Sequence, residues 1–233
     1  MAAPASSGAS HSVCMPRRAR SIVAGGCYHV INRGNNRATV FHVAAEYAAF
    51  IGLISDAQER IPIELFAACL MPNHFHLVVR PDGRHDIGRW IHWLLTTHSH
   101  RYHLRHATTG RVWQGPYKAF PIEQDGHLLT VLRYVERNAV RAGLVTRSSD
   151  WNWGSAAWRH GPHHLNRLLT QAPVQLPSNW DDFLDEPRTS QEVEALRACV
   201  NRQRPFGTDD WIQAAPECQG FDSTTRPRGR PKK

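Results

Sequence analysis

The segment His74-Phe75-His76 has the spacing of a shared cation site. Successive side chains of a β-strand alternate between faces, so on a strand His74 and His76 project from one side while Phe75 and Leu77 point into the core. Two neutral imidazoles on one rigid face are placed to share a metal ion. Tyr134 and Asn138 fall four apart in a stretch of helical character, which stacks them one turn apart on one helix face. The Asn138 amide oxygen can complete a site begun by the two histidines, with the Tyr134 phenol beside it. A phenol with a pKa of about 10 is a poor nucleophile and needs a Lewis acid or another activator close by. Taken alone, each pattern also has a plainer explanation. The chain holds 15 histidines, so a His-x-His pair is more often two unrelated surface residues. Tyr134 can equally pack in the core, with Asn138 near the helix end.

Two further groups have the chemistry of nucleic-acid contacts. Arg111, Trp113, Tyr117 and Lys118 interleave rings with cations, a combination that suits unpaired bases by stacking. The competing reading places Trp113 and Tyr117 in the core. At the C-terminus, residues 223–233 carry Arg226, Arg228, Arg230, Lys232 and Lys233 and no acid. The run Arg228-Gly229-Arg230-Pro231 resembles an AT-hook, whose arginines follow a narrow minor groove where the potential is most negative. A solubilising basic end is the alternative.

The elements that must position these groups follow from periodicity and turn signals. Residues 27–33 alternate in strand fashion and end at Gly34-Asn35-Asn36. Residues 43–60 place Tyr47, Phe50, Ile51 and Ile54 at helical spacing. Strands are expected over 63–70 and 74–80, joined by Met71-Pro72-Asn73, with a long helix over 86–105 broken at Thr108-Thr109-Gly110. A strand over 117–122 and a helix over 125–142, ending at Gly143, complete the series. That order predicts an α+β class: a ferredoxin-like, split βαβ antiparallel sheet with helices on one face. Beyond Trp151 the pattern weakens to a mostly helical C-terminal extension, in which Thr189 and Glu192 form a capping box ahead of Val193, Leu196 and Val200. Four segments are expected: a disordered 1–20, a catalytic domain over 21–147, an acidic extension over 148–222 and the basic tail 223–233.

Charge supports the same division. The formal net charge is +8, of which residues 1–20 supply +3 and residues 223–233 supply +5. Residues 21–147 carry +5 and residues 148–222 carry −5. A basic front and tail around an acidic middle point to a polyanion on the front and tail. The chain has no run of 18 apolar residues and no secretory signal pattern, so a cytoplasmic protein with no membrane partner is expected. Five cysteines without CxxC spacing argue against a disulfide framework and against a cysteine-based zinc site.

These patterns occur together and in order in one known family. The chain resembles the REP-associated tyrosine transposases, relatives of the single-tyrosine HUH transposases of bacterial insertion sequences. The matching stretches are YHVINRGNNR at 28–37, MPNHFHLVV at 71–79, VWQGPYKAF at 112–120 and YVERNAVRAGLV at 134–145. WNWGSAAW at 151–158, NRQRPFG at 201–207 and the RPRGRPKK tail also match. The resemblance implies metal ligation by His74, His76 and Asn138, a magnesium or manganese ion, and Tyr134 as nucleophile. It implies in-line attack on the scissile phosphate that leaves a 5′-phosphotyrosine and a free 3′-hydroxyl, on single-stranded or hairpin-forming palindromic repeat DNA. DNA contacts are expected from Arg33, Arg37, Arg111, Trp113, Tyr117, Lys118, Arg228 and Arg230, in a bacterial, nucleoid-associated protein that is monomeric rather than dimeric. Met15-Pro16-Arg17-Arg18 resembles the start of family members, so translation is expected to begin in practice at Met15. Two positions depart from the family: Pro116 stands where an arginine commonly precedes the tyrosine, and Ala139 stands where a proline commonly follows the asparagine. The first puts a DNA contact at that position in doubt. The reading from another class is a non-catalytic DNA- or RNA-binding protein on an RRM-like sheet, but binding alone needs neither the histidines nor Tyr134 nor Asn138. A zinc hydrolase lacks a carboxylate base near the histidine pair.

Overall fold

The computed structural model describes residues 22–83, 86–186 and 204–215, the short run 198–200 and the single positions 194, 196 and 218. The N-terminal segment 1–20, the Thr189–Glu192 capping box and the tail with Arg228 and Arg230 lie outside the described residues.

Four strands form one antiparallel sheet in the order β2-β3-β1-β4, from β1 (Cys27–Arg33), β2 (Ile63–Met71), β3 (His74–Pro81) and β4 (Lys118–Ile122). Helix α1 (Ala44–Arg60) connects β1 to β2, and α2 (Asp86–His106) connects β3 to β4. Both β1 and β2 run antiparallel to β3, which lies between them, so β1-α1-β2 is a split βαβ unit, as the element order predicts. Strand β2 reads as a near-continuous apolar run because both of its faces are covered. A bulge between Leu65 and Ala67 rephases it, placing Leu65, Ala68 and Leu70 in one core cluster and Phe66, Ala67, Cys69 and Met71 in the other.

The first cluster lies under α1 and α2, whose Phe50, Leu53, Ile54, Trp90, Ile91 and Leu94 meet Tyr28, Val30, Phe75 and Leu77 from the sheet. The opposite face is closed by α3 (Gly126–Glu136), an addition to the one helical layer expected from sequence. Its Leu128, Val131, Leu132 and Val135 pack on Val78, Cys69 and Ile122. The side chain of Asp125 caps this helix by accepting from the His127 amide at 2.7 Å. The single helix expected over 125–142 is in fact two: the backbone leaves helical geometry at Arg137 (φ −86°, ψ 3°), and a short α4 (Asn138–Arg141) follows. No described helix is long and apolar enough to cross a membrane.

The extension packs on the edges of the sheet. Trp151 donates its indole N–H to the Leu70 carbonyl at 2.9 Å, the Leu70 amide bonds to Trp153 O at 2.9 Å, and the Thr170 amide bonds to Leu65 O at 2.8 Å. Its helices α5 (Ser155–His160), α6 (His163–Asn166) and α7 (Trp180–Asp185) follow in order. Near the far end, Phe206 pairs with the free edge of β4, its amide bonding to Pro121 O at 3.0 Å and its carbonyl accepting from the Glu123 amide at 3.0 Å, ahead of α8 (Asp209–Ala214).

Candidate active site

Alternation along β1 and β3 places His29, Ile31 and Arg33 on the α3 side of the sheet together with His74 and His76. The register sets Ile31 opposite His76 and Arg33 opposite His74, while on its other flank Ile31 faces Lys118. Lys118, Ile31 and His76 therefore form one row across the sheet, with Arg33 beside His74. The rings of His74 and His76 lie 5.0 Å apart between centroids and nearly at right angles. From the facing helix the Tyr134 ring comes within 5.9 Å of His76 and 6.1 Å of His29. The sheet face and the helix face derived separately from sequence thus meet.

Hydrogen bonds set the form of the imidazoles. Asn73 donates from Nδ2 to the Arg37 carbonyl at 3.0 Å, which leaves its Oδ1 facing His74 Nδ1 at 2.6 Å. An amide oxygen only accepts, so His74 carries its hydrogen on Nδ1 and presents an unprotonated Nε2. His76 Nδ1 lies 2.9 Å from His29 Nε2. With the hydrogen on His76 Nδ1, His76 likewise presents a free Nε2 lone pair. Burial, helped by Arg33 and Arg141, pushes His74 down to about 4. Burial and then Arg141 push His29 down to about 3, and burial with the neighbouring imidazoles and arginines holds His76 well below the usual histidine range. All three are neutral at physiological pH, the form in which imidazole ligates a metal. The donor chemistry fits a divalent cation between His74 and His76.

The turn that positions Asn73 explains the Gly34-Asn35-Asn36-Arg37 stretch. The Gly34 amide bonds to Asn73 O at 2.8 Å, and a Cβ on Gly34 would collide with the Ala38 carbonyl oxygen. Only glycine allows the chain to double back against the β2–β3 turn there.

Asn138 is buried, and its amide nitrogen donates to the carbonyls of Tyr134 and Val135, each at 3.2 Å. Its oxygen accepts from Arg141. A carbonyl oxygen has a second lone pair, so ligation by Asn138 remains compatible with the Arg141 contact. The Arg141 guanidinium also lies 4.1 Å over the Tyr134 ring. His29 and Arg141 are the site residues that sequence reasoning missed. Arg141 carried a usable signal, since Tyr134, Asn138 and Arg141 follow the i, i+4, i+7 spacing of one helix face. His29 carried none, because a lone histidine in a strand does not disclose which strand pairs beside it.

The expected aromatic-basic cluster is divided by the sheet. Lys118 is exposed on the histidine side, and Arg111 and Arg37 are exposed while Arg33 is half-buried. Trp113 is a correction: it is buried among Phe41, Phe50, Phe75 and His98 in the first core cluster, leaving no ring face for a base. Tyr117 is half-buried against that same cluster, one alternation away from Lys118 and near Gly88 of α2.

A tyrosine thus faces paired neutral imidazoles across a split βαβ sheet, and comparison with known proteins supplies the family. Residues 23–138 match the family described as "Transposase IS200 like", and this domain belongs to that family. The matched stretch contains His74, His76, Tyr134 and Asn138 and ends just before Arg141. Membership makes the protein a transposase, whose general activity is DNA cleavage and strand transfer. Among solved structures, a REP-associated tyrosine transposase bound to a REP hairpin is similar at 19% identity with a TM-score of 0.53, covering 76% of this chain and all of that one. A transposase from Deinococcus radiodurans R1, so far assigned only provisionally as one, aligns at 20% identity over 52% of this chain and 97% of its own, with a TM-score of 0.38. The first likeness shows the shared fold. No curated protein sequence matches the chain.

Proposed function

We propose that the protein is a metal-dependent single-stranded DNA strand transferase of the HUH type, with Tyr134 as nucleophile and hairpin-forming repeat DNA as substrate. The observation that carries this reading is the meeting of Tyr134 with His76, ring centroids 5.9 Å apart, across the interface of α3 and β3. His74 and His76, with Asn138, would hold the cation, which would supply Lewis-acid withdrawal of charge from the scissile phosphate. Tyr134 supplies the phenolic oxygen that forms the new bond to phosphorus while the bond to the 3′ oxygen breaks. The phenol gives up its proton and the departing 3′ oxygen takes one, so the exchange balances. Because one phosphodiester replaces another, the 3′-hydroxyl of a second strand can reverse the step and rejoin DNA. Arg33 and Lys118 flank the histidines and suit the backbone on either side of that phosphate. The hairpin substrate is supported by the hairpin-bound structure that shares the fold.

A monomer is supported by the sheet edges. An exposed edge strand invites pairing with a second copy, and here β2 is covered by Trp151–Gly154 and Thr170, and β4 by Phe206, all of the same chain.

Incubating the protein with labelled hairpin DNA and manganese should yield a covalent protein–DNA adduct. His74→Ala and His76→Ala should each remove it, along with metal-dependent cleavage, because each supplies one of few ligands. Undiminished manganese binding by calorimetry in both variants would remove the histidines from the site.

Arg141 belongs to the same proposal as the group that stabilises negative charge growing on the Tyr134 oxygen and the phosphate. Loss of one such contact costs roughly 10²–10³ in rate in other enzymes. Arg141→Ala should slow cleavage at saturating DNA by about a hundredfold, with partial recovery in Arg141→Lys. A rate unchanged at saturation, with only weaker DNA binding, would confine Arg141 to binding.

A further inference from the structure

On the α1–α2 side of the molecule a second set of ligand-type groups converges, separate from the histidines of β3. We propose that His42, Glu46 and His106 form a second divalent-cation site, suited to zinc, that clips the start of α1 to the end of α2. One ligand atom from each residue lies within 4.8 Å of the others. The two imidazole rings are 4.8 Å apart between centroids, and His106 Nε2 is 2.7 Å from Glu46 Oε1. The other carboxylate oxygen accepts from the His42 backbone amide at 2.6 Å, which holds the Glu46 head group between the two rings. Glu46 is buried, at 7% exposure, so this orientation is rigid.

The donor set decides the ion. Two imidazoles and a carboxylate are a recurring zinc set, whereas magnesium prefers oxygen ligands and retained water. Tetrahedral zinc with bonds of about 2.0–2.1 Å needs its ligand atoms about 3.3 Å apart. The His42 side chain is exposed and can close the remaining distance by side-chain rotation. The fourth position falls to water or to the Tyr102 hydroxyl, which is 3.2 Å from His42 Nε2 and whose ring lies 4.3 Å from that of His106. The competing cation is Arg105, whose Nε is 3.4 Å from Glu46 Oε1, but its side chain is 50% exposed and can be displaced into water. A cavity of about 400 Å³ lined by Glu46, His98, Tyr102 and Arg105 gives solvent a route to the cluster. Beside it, His98 has a buried Nδ1 without a hydrogen-bond partner among the described residues. His42 and His106 are 64 positions apart in sequence, so an ion between them adds a metal link to the polar contacts that His106 and Arg105 make with Glu46 and Tyr102 makes with His42.

The test uses the full chain carrying His74→Ala and His76→Ala, so that zinc bound at the proposed catalytic pair does not contribute. Calorimetry with zinc alone should show an equivalent that weakens by more than about a hundredfold on adding His42→Ala, since loss of even an outer-shell partner costs roughly 10–100-fold. The same titration with Glu46→Gln should agree. Saturating zinc should raise the melting midpoint of the background protein and leave that of the His42→Ala variant unchanged. His42 is exposed, so its removal leaves the fold intact and the comparison interpretable. Absence of zinc binding in the background protein, or binding insensitive to His42→Ala, overturns the site. A bound equivalent that leaves the melting midpoint unmoved overturns the clip.

Discussion

Tyr134→Phe is expected to abolish the covalent DNA adduct and to lower strand cleavage by more than about a thousandfold, the scale on which removing a nucleophile acts in other covalent enzymes. The substitution deletes one oxygen. The ring keeps its contacts with His76, His29 and the Arg141 guanidinium. The fold should therefore lose about 1 kcal/mol or less, the usual net worth of one hydrogen bond. DNA affinity should stay near wild type, because the cations that meet phosphate are untouched. Binding, melting and adduct formation thus separate: only the last should collapse. Cleavage by the variant at the wild-type rate would exclude Tyr134 from the chemistry. Loss of DNA binding together with cleavage would instead favour a binding role for this helix face.

How far the site could be read in advance depends on which kind of geometry each residue needs. His74 and His76 share a face by strand periodicity alone, and Tyr134 and Asn138 by helix periodicity alone, so both pairs were readable from spacing. Strand β1 begins and ends where its alternation does, at Cys27 and Arg33. Long-range pairing is a different matter. His29 sits beside His76 because β1 lies next to β3, with Ile31 opposite His76, and no local pattern states that register. Trp113 shows the converse error. An aromatic among cations has the composition of a stacking platform, but β3 turns Phe75 toward the α1–α2 layer and Trp113 follows it there. The break at Arg137 was hidden because Arg133 and Arg137 look like ordinary exposed helix residues in sequence. In the structure their guanidiniums reach the Glu186 carbonyl and, for Arg137, the Leu184 carbonyl as well. The role of Glu136 was equally hidden, since a glutamate two residues after the proposed nucleophile reads as surface.

Glu136→Ala is expected to be strongly destabilising, lowering stability by about 3–5 kcal/mol, the scale on which breaking a largely buried ion pair acts. The carboxylate is 2% exposed and fully engaged. One oxygen accepts from the Ser155 hydroxyl at 2.5 Å and from Arg159 Nη2 at 2.8 Å; the other accepts from the Trp180 indole at 2.7 Å. Two of the three donors are tied elsewhere: Ser155 accepts from the Ala68 amide of β2 at 3.0 Å, and Arg159 donates to the Phe66 carbonyl of β2 at 2.9 Å. One side chain therefore binds α3 to α5, α7 and, through them, to the edge of the sheet. Removing it takes the carboxylate acceptor from a half-buried guanidinium, a buried hydroxyl and a buried indole N–H at once. Glu136→Gln keeps the volume but turns an amide N–H₂ toward groups that are all donors, so it should recover less than half of the loss. Because 1 kcal/mol moves the midpoint of a domain of this size by about 2–4 °C, a fall of roughly 10 °C is expected for Glu136→Ala. The loss should appear as one cooperative transition if the extension and the sheet unfold together, and as a separate early transition if α5 and α7 detach first. In the first case adduct formation below the midpoint should be near normal. In the second it should fall well below the midpoint, because α3, which carries Tyr134 two residues earlier, loses its support on that side. A variant that melts within about 1 kcal/mol of the wild type would show that these bonds offer no more than water does to the same groups.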